Sequence, residues 1–333
     1  MEKYDVYGVG NALVDLEFEV PESFFLEHDI EKGLMTLVTR EQQERLEKVL
    51  IDAYGIKAKS GGGSAGNTMY ALTHFGGRAF YSCKVANDAT GKFFLEQLGH
   101  HNINTNVNVN ASENGSSGRC LVMISPDAER TMHTYLGVSE KLSLENIDFE
   151  TARQSDYIYI EGYLVTSPNA KAAVIELKNF AEKSETKIAL TFSDPAMLEY
   201  FINDVNDIVG SGVDLLFCNE KELKLWAGTD AFDEACKAME QKAKQFAITR
   251  GADGALVYDG KNYIPIAGNS VKAIDTNGAG DMFAGAFLYA ISQGKDFESA
   301  GKFASRSSAE IVTIYGPRLS AERHEFIVKE VFG

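Results

Sequence analysis

The run Asp275-Thr276-Asn277-Gly278-Ala279-Gly280-Asp281 constrains this chain more than any other stretch. Glycines at 278 and 280 interrupt any regular element entering it, and the apolar residues 282–288 that follow have the composition of a buried helix. Residues 270–274 before it read as extended, so the spacing predicts a strand, a tight turn and a helix N-terminus. The first turn of a helix carries amides without intrahelical partners and a partial positive charge. Small residues let an anion come close to those amides. Such a turn holds a phosphate or a developing negative charge. Asp281 stands where that anion belongs, and two roles fit it. It caps the helix, or it takes a proton from an attacking hydroxyl while the amides of Gly278, Ala279 and Gly280 stabilise a transferring phosphoryl group.

Length and charge narrow the class. The chain has 333 residues, 44% of them hydrophobic, which suits one large domain or a domain with a smaller companion. Asp+Glu number 48 against 32 Lys+Arg, a formal charge of −16 that argues against nucleic acid or an anionic membrane as partner. ATP stays compatible, because local amides and Mg²⁺ bind phosphates whatever the net charge. Cys83, Cys120, Cys218 and Cys236 form no C-x-x-C pair, so neither zinc nor a disulfide framework is expected. No apolar run reaches the ~18 residues of a membrane span. The start carries Glu2, Asp5 and Asp15 and lacks a signal-peptide core, so a cytoplasmic location is expected.

Along the chain, residues 4–11 read as a buried strand ending in a glycine turn. Gly8-x-Gly10 is not a dinucleotide fingerprint, because Leu13 occupies the third glycine position. Residues 16–20 alternate apolar and acidic, the pattern of a strand with one wet face. Residues 33–38 are a second strand, and Thr39 with Gln42 forms a capping box for a helix to about residue 54. Gly61 to Thr68 nearly spells a P-loop, but Asn67 replaces the phosphate-binding Lys; the glycines run into a helix over 67–75. Asp88 reads as a cap for the helix 92–98, and 102–118 as a polar loop. Residues 119–125 and 130–136 are strands around a turn. Arg130 either reaches a transferring phosphate once this region closes or faces solvent. Beyond 140, strands at 157–160, 188–192 and 214–218 alternate with helices at 170–183 and 220–227. That alternation predicts βαβ units and a mostly parallel sheet, with ligands at the carboxyl ends of its strands. Residues 246–257 read as strand, glycine turn, strand, and helices should follow to about 292 and over 297–315.

Together these segments resemble the ribokinase/PfkB carbohydrate kinase family over nearly the whole chain. The heptad fits D-T-x-G-A-G-D at every fixed position. Residues 62–67 fit G-G-x-x-x-N, in that frame or one glycine earlier. Residues 85–91 fit V-G-x-D-x-x-G with Ala86 for the first glycine, Asn219 and Glu222 fit N-x-x-E, and 249–254 fit T-x-G-x-x-G. The resemblance implies an α/β fold, ribokinase-like, with a central mostly parallel sheet flanked by helices and a small β-sheet lid. It implies a large domain of residues 1–15, 39–104 and 137–333, and a lid of 16–38 and 105–136. It makes Asp281 the catalytic base and the amides of Gly278, Ala279 and Gly280 the anion hole. It places Asn11, Asp15, Gly62, Gly63 and Asn67 at the sugar. It turns Asn219, Thr249, Gly251, Gly254 and Asn277 toward ATP, and Glu222 toward Mg²⁺ through water. ATP and Mg²⁺ are the implied cofactors; a monovalent cation near Asp275 is left open.

Within the family, residues 8–15, 130–136 and 191–195 resemble the adenosine-kinase-like branch. That branch stacks two aromatic rings on a purine; Gly162-Tyr163-Leu164-Val165 keeps one of them. Tyr163 and Leu136 would then cover an apolar base, with Arg130 on the substrate side. The expected partners are ATP and a small molecule, either an adenosine-like ribonucleoside or a free sugar such as ribose or fructose. A non-catalytic nucleoside or sugar sensor is a further alternative, against which the intact Asp281 argues. Monomer and homodimer both stay open, since a lid sheet with an exposed face can pair.

Overall fold

The computed structural model describes residues 3–108 and 114–333, so residues 109–113 of the expected loop and lid lie outside the described residues. In chain order the strands are β1 (Tyr4–Val9), β2 (Leu13–Glu19), β3 (Met35–Leu37), β4 (Ala58–Gly62), β5 (Ala79–Ser82), β6 (Gly118–Ile124), β7 (Arg130–Tyr135), β8 (Ser155–Glu161), β9 (Lys187–Thr191), β10 (Val213–Asn219), β11 (Ala243–Thr249), β12 (Ala255–Tyr258) and β13 (Tyr263–Ile266). The large sheet is 8-stranded in the order β13-β12-β11-β10-β9-β8-β1-β5. From β5 to β11 every neighbour is parallel, and β12 and β13 close the edge antiparallel. Its inner strands are apolar on both faces, as a parallel sheet covered by helices requires. Two buried clusters fill those faces, one around Ile158, Leu190 and Phe246, the other around Tyr159, Phe217 and Phe287.

The second sheet is 5-stranded, in the order β3-β7-β6-β2-β4. Its strands come from within both expected stretches, but residues 22–27 between two of them are a helix, and the sheet also takes in residues 13–15 and 58–62. Asp15 and Gly62, assigned above to the large domain, lie on β2 and β4 of this small sheet. On β2, Leu16 and Phe18 point to one side, where Phe24 and Phe25 of α1 (Glu22–Glu27) and Leu50 of α2 (Arg40–Tyr54) bury them. Each such side chain contributes roughly 1.5–3 kcal/mol by leaving water. The capping box of Thr39 and Gln42 starts α2, and the buried Gln43 ties it down by donating to the carbonyls of Arg119 and His133. The acidic side of β2 is wet only at its end: Asp15 is 5% and Glu17 1% exposed, while Glu19 is exposed. It faces the other sheet's functional turns.

Two further expectations fail locally. Residues 270–274 are not a strand; they lie mostly exposed beyond the edge strand β13, and the Ile274 and Asp275 amides donate to the Val312 carbonyl instead. The helix expected to 315 is Phe297–Ile311. Gly316, at φ 97°, and Pro317 then carry the chain in a non-helical path. Among the described residues, no helix is long and apolar enough to cross a membrane.

Candidate active site

The heptad makes the predicted turn. Gly278 is the N-cap of the helix Ala279–Ser292 at φ 75°, and a Cβ there would lie 2.5 Å from Pro317 Cβ, so only glycine fits. The helical ladder begins with Met282 N–H donating to the Gly278 carbonyl at 2.8 Å. Gly280 and Asp281 therefore present first-turn amides, while the Ala279 amide already donates to the Thr276 carbonyl at 3.3 Å.

Asp281 is held by the next element. α3 (Ser64–His74) starts at the N-cap Gly63. Ser64 Oγ donates to Asp281 Oδ1 at 2.7 Å, and Asn67 Nδ2 donates to Oδ2 at 3.1 Å. Burial raises the Asp281 carboxyl to about 6, while those two donors, Arg130 and Arg318 pull it back. A base poised there is ionised at neutral pH and still has affinity for a proton. Gly62, expected at the sugar, does not line the cleft. A Cβ there would sit 2.1 Å from Asp15 Oδ1, so its missing side chain is room for that carboxylate. Asp15 does line the cleft, and burial lifts it to about 7.

Asn11 also lines the cleft, but its side chain is committed. Glu161, fully buried at the end of β8, accepts from Asn11 N–H at 2.7 Å, from Asn11 Nδ2 at 2.9 Å and from the Ala65 amide at 2.8 Å. One carboxyl thus pins the end of β1 to the start of α3, and burial lifts it to about 7.

The small sheet grips the anion turn at three adjacent residues. Glu17 Oε1 accepts from Asn277 Nδ2 at 2.9 Å. Thr276 donates through its amide and its hydroxyl to the Ala128 carbonyl, at 3.2 and 3.0 Å. Asp275 accepts from the Asn277 and Gly316 amides and faces Glu17. Burial and the neighbouring Asp275 push Glu17 well above the carboxylate range. Two buried carboxyls in contact favour sharing a proton over both ionising, and Glu17 Oε2 accepts from no protein donor.

Arg130 does not face solvent. It lines the cleft with its Nη2 3.8 Å from Asp194 Oδ2, and Tyr163 donates its hydroxyl to the same oxygen at 3.3 Å. Leu13, Met35, Met132 and Leu136 line the cleft as well. Across it, Asn219, Glu222, Thr249, Gly251, Gly254 and Asn277 line the wall that runs toward Ser305, Ser308 and Val312. The whole cleft encloses ≈ 1030 Å³, room for two ligands side by side. Glu222 forms a capping box with Asn219, accepting from its amide and its Nδ2, both at 2.9 Å. Burial raises this carboxyl to about 7. No group of three metal-ligating side chains occurs among the described residues. With Glu222 and Asn219 paired to each other, these residues fit only a Mg²⁺ that arrives on phosphates and keeps its waters.

Ser64, Glu161, Asp194, Glu17 and Arg318 were not anticipated. Two of them carried a local signal: Ser64, the residue after the glycine run that precedes a helix, and Asp194, which lies within residues 191–195.

Comparison with known proteins gives the family and the fold. Residues 36–323 match the pattern described as pfkB family carbohydrate kinase. A probable sugar kinase from Rhizobium etli superposes with a TM-score of 0.93 at 29% identity, covering 99% of both chains. The adenosine kinase from Sinorhizobium meliloti superposes with a TM-score of 0.91 at 30% identity, covering 98% of this chain and 99% of that one. The adenosine kinase of Schizosaccharomyces pombe is 25% identical over 350 residues, 98% of this chain and 99% of that protein. The chain belongs to the pfkB family of carbohydrate kinases, phosphotransferases that act on an alcohol group of a sugar or nucleoside.

Proposed function

We propose that this kinase transfers the γ-phosphoryl group of ATP to the primary hydroxymethyl of a purine ribonucleoside of the adenosine type. The observation that carries the reading is the apolar wall of Leu13, Met35, Met132 and Leu136 with the Tyr163 ring beside it. A free sugar offers mostly hydroxyls and only small C–H faces to such a wall; a nucleoside has a base to cover it. The adenosine kinases named above support the same choice.

In this reading Asp15 and Asn67 orient the ribose. Asp281 takes the proton of the hydroxymethyl as its oxygen forms the new bond to the γ-phosphorus. The bond from that phosphorus to the β-bridging oxygen breaks, and ADP leaves. The first-turn amides after Gly278 face the charge that builds on the transferring group, and Arg130 approaches it from the small sheet. Thr249, Gly251 and Gly254 carry the nucleotide phosphates. Mg²⁺, held through water near Asn219 and Glu222, supplies charge neutralisation on those phosphates. No step is assigned to a monovalent cation. α1 and α2 cover the apolar side of the small sheet, which favours a monomer over pairing through that face.

The test is kcat/KM at fixed ATP for adenosine, inosine, guanosine, ribose and fructose. Adenosine is expected to lead; a free sugar ahead by about tenfold or more makes the chain a sugar kinase.

A further inference from the structure

Four consecutive residues touch both sides of the cleft. Gly316 N–H donates to Asp275 Oδ2 at 2.9 Å, and Pro317 packs on Gly278. The Leu319 carbonyl accepts from the Tyr70 hydroxyl of α3 at 2.8 Å. Arg318 Nε donates to Asn67 Oδ1 at 3.2 Å. We infer that Arg318 is a positioning residue, which fixes the Asn67 amide so that its N–H groups face the Asp281 carboxylate.

A guanidinium only donates hydrogen bonds, so the Asn67 oxygen must face Arg318 and the Asn67 nitrogen must face away from it. That nitrogen is the one donating to Asp281 Oδ2 at 3.1 Å. A reversed amide would set oxygen against carboxylate and NH₂ against guanidinium, replacing two attractions by two repulsions. The fold makes room for this cation at some cost. Its central carbon lies 4.7 Å from the Tyr70 ring centroid, and a Cβ on Gly61 would come within 2.8 Å of Nη1. Both Nη atoms are buried with no hydrogen-bond partner among the described residues. A buried cation left so short of acceptors is costly unless its charge acts elsewhere. Its field reaches Asp15 and Asp281, and holds both below where burial alone would put them.

Asp281 faces Arg130 and Arg318 as cations and Asp15, Glu161 and Glu222 as acids. Behind Arg318 stand Tyr70 and Tyr81, with His74 and His101 beyond, both held below the ordinary imidazole value by burial. With those groups unchanged, removing Arg318 should raise Asp281.

The test uses two variants of the full chain. Arg318→Met removes charge and donor; Arg318→Lys keeps the charge but cannot set an Nε on Asn67. Asp281 is titrated by NMR of ¹³C-labelled aspartate carboxyls, assigned with Asp281→Asn, so this readout is independent of the acceptor. In Arg318→Met, Asp281 should titrate about half a unit or more above wild type; in Arg318→Lys it should stay in place. Arg318→Lys should still lower kcat/KM about tenfold for the best acceptor of the panel, and that loss should vanish in an Asn67→Ala background, which has no amide to position. An unmoved Asp281 in folded Arg318→Met, or an equal loss in both backgrounds, overturns the inference. If Arg318→Met does not fold, the Arg318→Lys and Asn67→Ala cycle decides alone.

Discussion

The two halves of the cleft are built in opposite ways. On the proposed reading, the catalytic end of the phosphate half is a backbone site: one turn, residues 275–281, sets the amides and delivers Asp281 from a single helix start. The acceptor half is a side-chain site. Asp15 comes from β2, Met35 from β3, Arg130 and Met132 from β7, Asn67 from α3, and Tyr163 from the turn after β8. A backbone site needs only a local pattern of small residues, so the reaction it performs is carried by a short motif. A side-chain site exists only after distant segments have packed, and no short motif fixes its ligand. The same difference explains why relatives with this fold carry different substrate names.

The largest expected effect belongs to the phosphate half. Asp281→Asn keeps the shape but turns one acceptor oxygen into an NH₂ and cannot accept a proton, and should lose ~10²-fold or more in kcat. Binding of ATP and acceptor, followed by calorimetry, should change little. A variant that kept more than about a tenth of wild-type kcat would show that Asp281 is not the base. In wild type, kcat should fall as the pH drops through about 6, because burial has raised this carboxyl and its protonated form cannot take the hydroxyl proton.

A smaller effect is expected at the seam between the halves. Glu17 reaches from the small sheet to Asn277 and Asp275. Glu17→Ala strands two buried polar groups and should cost about 1–3 kcal/mol of stability in denaturant unfolding, with roughly a tenfold loss of kcat. Glu17→Gln imitates the protonated acid: its oxygen accepts from Asn277 and its nitrogen donates to Asp275, so it should stay close to wild type. Equal damage from both substitutions would mean that Glu17 acts as a carboxylate and shares no proton.

What was legible in the sequence follows the same division. The heptad turn, the Thr39 box, the Asp88 cap and the alternation of strands and helices beyond 140 are local or periodic signals, and the fold follows them. The alternation in β2 identified a strand and the exposed Glu19 but misjudged Glu17, because period two says which residues share a side and not what covers it. That face is buried by the turn at Thr276 and Asn277, some 260 positions away in the chain. Glu161 and Arg318 escaped for the same reason: their partners Asn11 and Asn67 lie 150 and 251 positions distant. The strand expected at 270–274 had a suitable composition but no neighbour to pair with beyond β13.

The claim that the acceptor half is shaped for a base is tested most directly by one ratio. It is kcat/KM for adenosine over that for ribose, measured in wild type and in Tyr163→Ala. Base stacking on one aromatic ring is worth roughly 1–3 kcal/mol. The ratio should therefore exceed about ten in wild type and fall about fivefold or more in the variant, with the ribose value nearly unchanged. A wild-type ratio below one, or the same ratio in both proteins, would contradict it.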